Sequence, residues 1–124
     1  MRRTGGRSVS GLMSGQHVAL VTTTGARSGQ PREVPLLAIA DGAALVLVAS
    51  SWGREHNPAW YVNLVADRHV TVSIAGSTRA YVARTAAADE RTRLWALADA
   101  TYAGYRAYRS RARREIPLVV LEPT

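Results

Sequence analysis

Residues 22–37 read TTTGARSGQPREVPLL and place a small basic loop between two apolar runs. The runs occupy residues 18–21 and 34–39, and both carry the β-branched residues typical of strands. Gly25 and Gly29 bracket the loop, where glycine permits a positive φ and a close approach of the backbone. The stretch therefore predicts two strands joined by a tight, basic turn.

The side chains of this loop suit an anion. Arg27, Ser28 and Arg32 supply charge-assisted hydrogen-bond donors of the kind that hold phosphate. The loop is not a Walker loop, because it lacks the GxxxxGK[ST] spacing and precedes a proline and a strand instead of a helix. From the loop alone, two interpretations stay open: a phosphate clamp, and an ordinary hairpin whose arginines are solvated.

The composition limits the classes of function. The chain has 124 residues, the length of one domain, and its lack of cysteine excludes disulfides, iron–sulfur clusters and thiolate catalysis. The net charge of +7 indicates an anionic partner, which could be nucleic acid, an acidic membrane surface or a polyanionic small molecule. The three histidines have no metal-ligand spacing, so we expect no metal site.

The chain shows no secretory signal and no apolar run of membrane-spanning length, and we expect a cytoplasmic protein. Its charge also allows peripheral association with the inner face of the membrane. Residues 1–16 are rich in Gly, Ser and Arg, which predicts a flexible N-terminal arm. Residues 17–124 form the single predicted domain. The oligomeric state does not follow from the sequence.

Short alternating or buried runs predict further strands, and turn signals such as Asp41-Gly42 and Gly76-Ser77 join them. These strands are expected at residues 44–49, 69–74, 78–85 and 117–121. Helices are expected from Pro58 to Ala66 and from Asp89 to about Tyr102, and residues 105–114 could form a third. About six strands with two or three helices, without βαβ alternation, predict an α+β domain built on an antiparallel barrel.

The first of these helices carries a specific expectation. Asn57 followed by Pro58 is the pattern of an N-cap and a first helical residue. Trp60, Asn63 and Leu64 then share one face. Because a buried amide is costly without partners, we expect Asn63 to hydrogen-bond the backbone of an adjacent loop.

With these features in place, nearly the whole chain resembles the deazaflavin-dependent nitroreductases, also described as F420H2-dependent quinone reductases. The resemblance rests on GARSG followed by PREVPL, on VASS with Gly53, on PAWYVNL and DERTRLW, and on spaced tyrosines before IPLVVL. It implies a split β-barrel similar to that of flavin-binding reductases. It also implies that reduced coenzyme F420 serves as the hydride donor.

The resemblance also assigns roles to residues. Arg27, Ser28 and Gly29, with Arg32, match the phosphate-binding loop, and Pro35 and Leu36 lie in the strand against the cofactor. Ala49, Ser50 and Gly53 would line the deazaflavin ring, and Trp60 with Asn63 match the helix that supports this wall. The other residues assigned to the cofactor are Ser51, Arg54 and Pro58. Tyr102, Tyr105 and Tyr108 match the tyrosines that face the substrate. Ser50 or a tyrosine hydroxyl, with Tyr105 preferred, would stabilise charge on the oxygen of the acceptor.

Two departures from the family pattern concern the cofactor. The family commonly has two adjacent basic residues where this chain has Ala26-Arg27. Its ring-side loop often reads Ser-Lys-Gly-Gly where this chain has Ser50-Ser51-Trp52-Gly53, and Arg54 could replace the lost charge.

Three functions are therefore compared. The first is an F420H2-dependent reductase of quinones, nitroaromatics or activated enones. The second is an FMN-binding oxidoreductase on the same barrel. The third is a small nucleic-acid binder that uses the arginines of residues 106–114 with Tyr105 and Tyr108. It ranks last, because a solvated basic helix is the commoner origin of such a run and no recognised nucleic-acid-binding motif is present. We therefore expect no nucleic-acid partner.

Overall fold

The computed structural model describes residues 16–49, 57–101 and 115–124. Six strands and two helices occupy these residues. In chain order they are β1 (Gln16–Thr24), β2 (Pro31–Asp41), β3 (Ala44–Val48), α1 (Ala59–Ala66), β4 (His69–Ile74), β5 (Ser77–Thr85), α2 (Ala88–Thr101) and β6 (Leu118–Pro123).

The six strands close into one barrel in the order β1-β2-β3-β6-β5-β4, and every neighbouring pair is antiparallel. Tight turns at Gly42 and Gly76, both with positive φ, join β2 to β3 and β4 to β5. The last strand, β6, lies between β3 and β5 and pairs with both. The sheet is therefore continuous around the barrel.

Strand alternation divides the apolar residues between two cores, because successive side chains point to opposite faces. One core fills the barrel, and Leu64 of α1 belongs to it. Its buried strand residues are Ala19, Val21, Ala38, Leu45, Leu47, Val70, Val72, Tyr81, Ala83, Val119 and Leu121. On β3 and β6 the intervening residues Val46, Val48, Leu118 and Val120 belong instead to the second core.

The second core lies between the barrel and α2. Leu94, Trp95 and Ala98 are the buried residues of this helix, and they join the outward residues of β2, β3 and β6. An ion pair also connects the helix to β2: Arg93 donates to both carboxylate oxygens of Asp41, at 3.1 and 3.2 Å. Hence α2 is held to the outer wall of the barrel by packing and by charge.

The predicted barrel, its strands and its two hairpins are confirmed. The strand expected at residues 44–49 ends at Val48, and the helix expected to reach Tyr102 is described to Thr101. Residues 1–15 and the predicted third helix at 105–114 lie outside the described residues, while Gln16, assigned to the arm, begins β1. Neither described helix has the length and apolar character needed to span a membrane.

Candidate functional site

The loop between β1 and β2 closes on itself through backbone hydrogen bonds. Gly25 N–H donates to the carbonyl of Gln30 at 2.8 Å, and Gly29 N–H donates to the carbonyl of Gly25 at 3.0 Å. Gly29 has φ +70°, the left-handed region that favours glycine. The predicted role of glycine at this turn is confirmed for Gly29, and the loop is a compact turn from Gly25 to Gln30.

Gly25 has a different role from Gly29, because it allows a close approach within the loop. A Cβ atom at this position would lie 2.6 Å from Ser28 Oγ and 3.3 Å from the Gln30 carbonyl oxygen. Ser28 Oγ in turn accepts a hydrogen bond from Gln30 N–H at 3.1 Å. The absence of a side chain at Gly25 therefore leaves the space in which Ser28 organises the turn.

Helix α1 forms the opposite side of the site, and its start corrects one prediction. Asn57 is not the N-cap: Pro58 occupies that position with φ −66° and ψ 153°, and no side chain caps the helix. The carbonyl of Pro58 accepts the first helical hydrogen bonds, from Tyr61 and Val62 N–H. Because the proline itself has extended ψ, the helix starts one residue later than the sequence pattern indicates.

Asn63 joins α1 to the loop, as predicted. Its Oδ1 accepts a hydrogen bond from Ala26 N–H at 3.0 Å, and its Nδ2 donates to Thr23 Oγ1 at 3.3 Å. Thr23 is 2 % exposed and is the only fully buried polar residue in the part of the chain that the structure describes. The amide thus finds a donor and an acceptor, which removes the cost of its partial burial.

A cavity of about 530 Å³ lies between the loop and α1. Its volume is within the range of small-molecule sites. The lining residues are Thr23, Gly25, Ala26, Arg27, Ser28, Arg32, Glu33, Val34, Ala59, Trp60, Val62 and Asn63. We call the part formed by Arg27 and Ser28 the loop side, and the part formed by Ala59 and Trp60 the helix side.

Positive charge is available in this cavity. Arg27 and Arg32 are exposed, and neither forms an ion pair with any residue that the structure describes. Arg84, Arg91 and Arg93, by contrast, are all paired with carboxylates around α2. Two guanidinium groups without a carboxylate partner among the described residues, beside a half-buried tryptophan, suit a ligand with an anionic group and a flat ring.

Five of the residues assigned from the sequence meet at this cavity: Arg27, Ser28, Arg32, Trp60 and Asn63. Gly29 and Pro58 adjoin it in the same loop and helix start. Pro35, Leu36 and Ala49 do not line it. Leu36 packs against the barrel core, Pro35 is exposed on the other face of β2, and Ala49 is buried, with its N–H donating to the Pro117 carbonyl.

Other assigned residues lie outside the described part of the chain, so their placement stays a prediction. They are Ser50, Ser51, Gly53, Arg54, Tyr102, Tyr105 and Tyr108.

Sequence reasoning missed several lining residues, of which Thr23 is the most informative. It follows Ala19 and Val21 at two-residue spacing, so strand alternation alone places it on the inner face of β1. Val34 precedes Leu36 and Ala38 at the same two-residue spacing on β2. Glu33, Ala59 and Val62 also line the cavity, and sequence reasoning did not assign them.

Comparisons with known proteins identify a family and a fold. The family model described as F420H(2)-dependent quinone reductase matches residues 1–123. The F420H(2)-dependent quinone reductase Rv1261c of Mycobacterium tuberculosis is 34% identical over 123 residues, which cover 97% of this chain and 83% of that protein.

Two solved structures are also similar. One is described as an F420-H2 dependent reductase, FDR-A, with a TM-score of 0.78 and 35% identity over 85% of this chain and 93% of that chain. The other is described as a domain-swapped dimer, with a TM-score of 0.73 and 34% identity over 85% of this chain and 79% of that chain.

Proposed function

Because this chain belongs to the family of F420H(2)-dependent quinone reductases, we propose that its cavity holds reduced coenzyme F420 while a quinone accepts the hydride. Membership makes the protein an oxidoreductase, makes F420 its cofactor and identifies the barrel as the split β-barrel of these reductases. The assignment of individual residues to the cofactor and to the acceptor is the proposal.

The observation that carries this proposal is a pair of arginines on one cavity, neither of which forms an ion pair with a described residue. F420 has a phosphodiester and an oligoglutamate tail, and the guanidinium groups of Arg27 and Arg32 are the donors that match such anions. Trp60 and Ala59 give the helix side an apolar surface against which a flat ring can lie. The residues present therefore fit the cofactor.

The protein needs no nucleophile of its own, since bound reduced F420 supplies a hydride from its deazaflavin ring. The residues of the chain have three tasks in this scheme. Arg27 and Arg32 hold the phosphodiester, and the apolar helix side excludes water from the ring. Ser50 and the hydroxyl of Tyr105, flanked by Tyr102 and Tyr108, donate hydrogen bonds to the acceptor oxygen as it gains negative charge.

The remaining assignments stay predictions from the resemblance and from the composition. The residues proposed to adjoin the cofactor are Gly29, Ser51, Gly53, Arg54, Pro58 and Asn63. Pro35, Leu36 and Ala49, which do not line the cavity, are assigned to the cofactor from the resemblance alone. Nitroaromatics and activated enones are proposed as further acceptors, because they are flat electrophiles like quinones. Peripheral membrane association is likewise only predicted, from the net charge.

A titration followed by an activity assay tests the function. We expect oxidised F420 to bind more tightly than FMN in isothermal titration calorimetry, and reduced F420 to be oxidised on addition of a quinone. A nitroaromatic and an enone, assayed in parallel, define the acceptor class. Tighter binding of FMN, or no oxidation of reduced F420 by any of the three acceptors, would contradict the proposal.

A further inference from the structure

One side chain connects the two sides of the cavity. Asn63 lies one helical turn after Trp60 on α1, and its Oδ1 accepts the hydrogen bond of Ala26 N–H, the residue directly before Arg27. Its Nδ2 reaches Thr23 Oγ1 on β1 at 3.3 Å. We call these two hydrogen bonds and their three residues the Asn63 bridge.

Thr23 extends the bridge to the second arginine. Its hydroxyl also contacts the carbonyl of Arg32 at 3.5 Å, across the β1–β2 pair in which these two residues face each other. Thr23 is almost completely buried, so its side chain has little room to move. Solvent does not reach its hydroxyl, so water cannot take the place of Asn63 as a hydrogen-bond partner. The backbones that carry Arg27 and Arg32 are thus both fixed relative to α1.

The bridge also decides which groups can meet an anion. The Ala26 N–H is already used by Asn63, and Ser28 Oγ accepts the Gln30 N–H. The Ser28 hydroxyl keeps its own proton and can still donate it to a ligand. A ligand phosphate in this cavity therefore meets this hydroxyl and the two guanidinium groups of Arg27 and Arg32, and the bridge sets the backbones that carry the two arginines.

We propose that Asn63 and Thr23 are positioning residues that make the cavity selective for a deazaflavin bearing a phosphodiester over the same ring and ribityl chain without one. This inference rests on the proposed function. The bridge sets the separation between the helix side, where the ring lies, and the arginines, where the phosphate lies. Loss of the bridge would leave the ring contacts in place while it misplaces the groups that bind the phosphate.

A purely structural role is the competing explanation, and α1 offers a matched control. Tyr61 OH and Thr85 Oγ1 share a hydrogen bond of 3.0 Å, which ties the same helix to β5 without contacting the loop. Tyr61 does not line the cavity. Tyr61→Phe therefore removes a polar tether of α1 and leaves the Asn63 bridge intact.

The experiment measures the Kd of oxidised F420 and of the phosphate-free deazaflavin, by fluorescence titration, for the wild type and for Asn63→Ala, Thr23→Val, Thr23→Ser and Tyr61→Phe. We expect Asn63→Ala and Thr23→Val to weaken F420 roughly tenfold, a change equivalent to about 1.4 kcal/mol, and the phosphate-free ligand by less than about twofold. Thr23→Ser keeps the hydroxyl and should keep the wild-type ratio of the two Kd values, that of the phosphate-free deazaflavin to that of F420. Tyr61→Phe should leave that ratio unchanged.

The outcomes separate the two proposals. A wild-type protein that binds both ligands equally would overturn the proposed phosphate site and the selectivity with it. A wild-type preference that persists in both Asn63→Ala and Thr23→Val would overturn the bridge alone. If Asn63→Ala fails to fold, the comparison of Thr23→Val with Thr23→Ser decides, because the first variant replaces only the hydroxyl of Thr23 by a methyl group and the second keeps the hydroxyl and loses only the methyl group.

Discussion

Arg27 is exposed on the cavity without a carboxylate partner among the described residues, so its full charge is available to a ligand. We expect Arg27→Ala to weaken F420 by about 1.5–3 kcal/mol, the contribution of a hydrogen bond to a charged group. Isothermal titration calorimetry measures the change. Arg79→Ala is the matched control, since Arg79 is an exposed arginine on β5 that does not line the cavity. If both variants lose the same F420 affinity, the net charge of the protein, and not the position of Arg27, determines binding.

The variant Gly25→Ala tests whether F420 binding depends on the shape of the loop as well as on its charge. An added Cβ would collide with Ser28 Oγ at 2.6 Å, so Gly25→Ala should destabilise the fold by about 1–3 kcal/mol and also weaken F420. Gly42→Ala is the control. Its φ of +62° makes alanine strained, by about 1–2 kcal/mol, in a hairpin that does not line the cavity. Thermal unfolding and F420 titration together distinguish the two: only Gly25→Ala should change affinity.

Tyr105 is the residue whose role the resemblance predicts most specifically, although it lies outside the described residues. A phenol stays protonated at neutral pH and can donate to the acceptor oxygen. Tyr105→Phe should therefore lower turnover roughly 10-fold or more, while F420 affinity and Tm are unchanged. A normal turnover with a lowered Tm would instead assign Tyr105 to the core.

Helix α2 begins with a charge arrangement that makes its stability depend on pH. Glu90 accepts hydrogen bonds from Arg84 and from Ala87 N–H, and these two partners, Arg84 foremost, lower the pKa of its carboxyl below the ordinary 4.5. The stabilisation is therefore fully present above pH 4.5 and is lost as the pH falls through the lower pKa of the folded state.

The variant Glu90→Gln measures this contribution. Because Arg84 is partly exposed, we expect a loss of about 0.5–1 kcal/mol at pH 7, or roughly 2–5 °C in Tm, which shrinks below pH 4 as the wild-type carboxyl is protonated. Differential scanning calorimetry between pH 3 and pH 7 gives the profile. Glu115→Gln, which removes the more exposed carboxylate paired with Arg91 at 3.6 Å, should shift Tm little at any pH. If the Tm of Glu90→Gln stays below that of the wild type by the same amount down to pH 3, the ionised carboxyl of Glu90 is not the source of the lost stability.

Local patterns predicted the elements of this fold well, because each depends on neighbouring residues. The alternation of Val70 and Val72 with polar residues predicted β4, and the turns at Gly42 and Gly76 predicted the two hairpins. Asn63 could be predicted to bind a loop because a half-buried amide requires partners. Its partner Thr23, 40 residues away, could not be identified, since nothing local indicates which strand end α1 meets. The false N-cap at Asn57 has a similar origin: the pattern fits either residue, and only the ψ of Pro58 decides between them.

At the scale of the whole molecule, the net charge of +7 should appear in the salt dependence of binding. We expect the affinity for F420 to fall several-fold between 50 and 500 mM NaCl, and the affinity for the phosphate-free deazaflavin to change much less, because salt screens exposed charges. Titrations at three salt concentrations measure both. A single-stranded oligonucleotide that binds with a steep salt dependence, and equally well to Arg27→Ala, would favour the nucleic-acid interpretation instead.

The position of β6 between β3 and β5 has a consequence for the order of events during biosynthesis. A chain that grows from its N-terminus can pair β1 with β2 and β4, and β2 with β3, before residues 118–123 exist. Until then, β3 and β5 are open edges with unpaired backbone groups, the kind of edge on which sheets of separate molecules join. We therefore expect the protein to be most exposed to aggregation while β6 is still unpaired, and to lose both open edges together when β6 closes the ring.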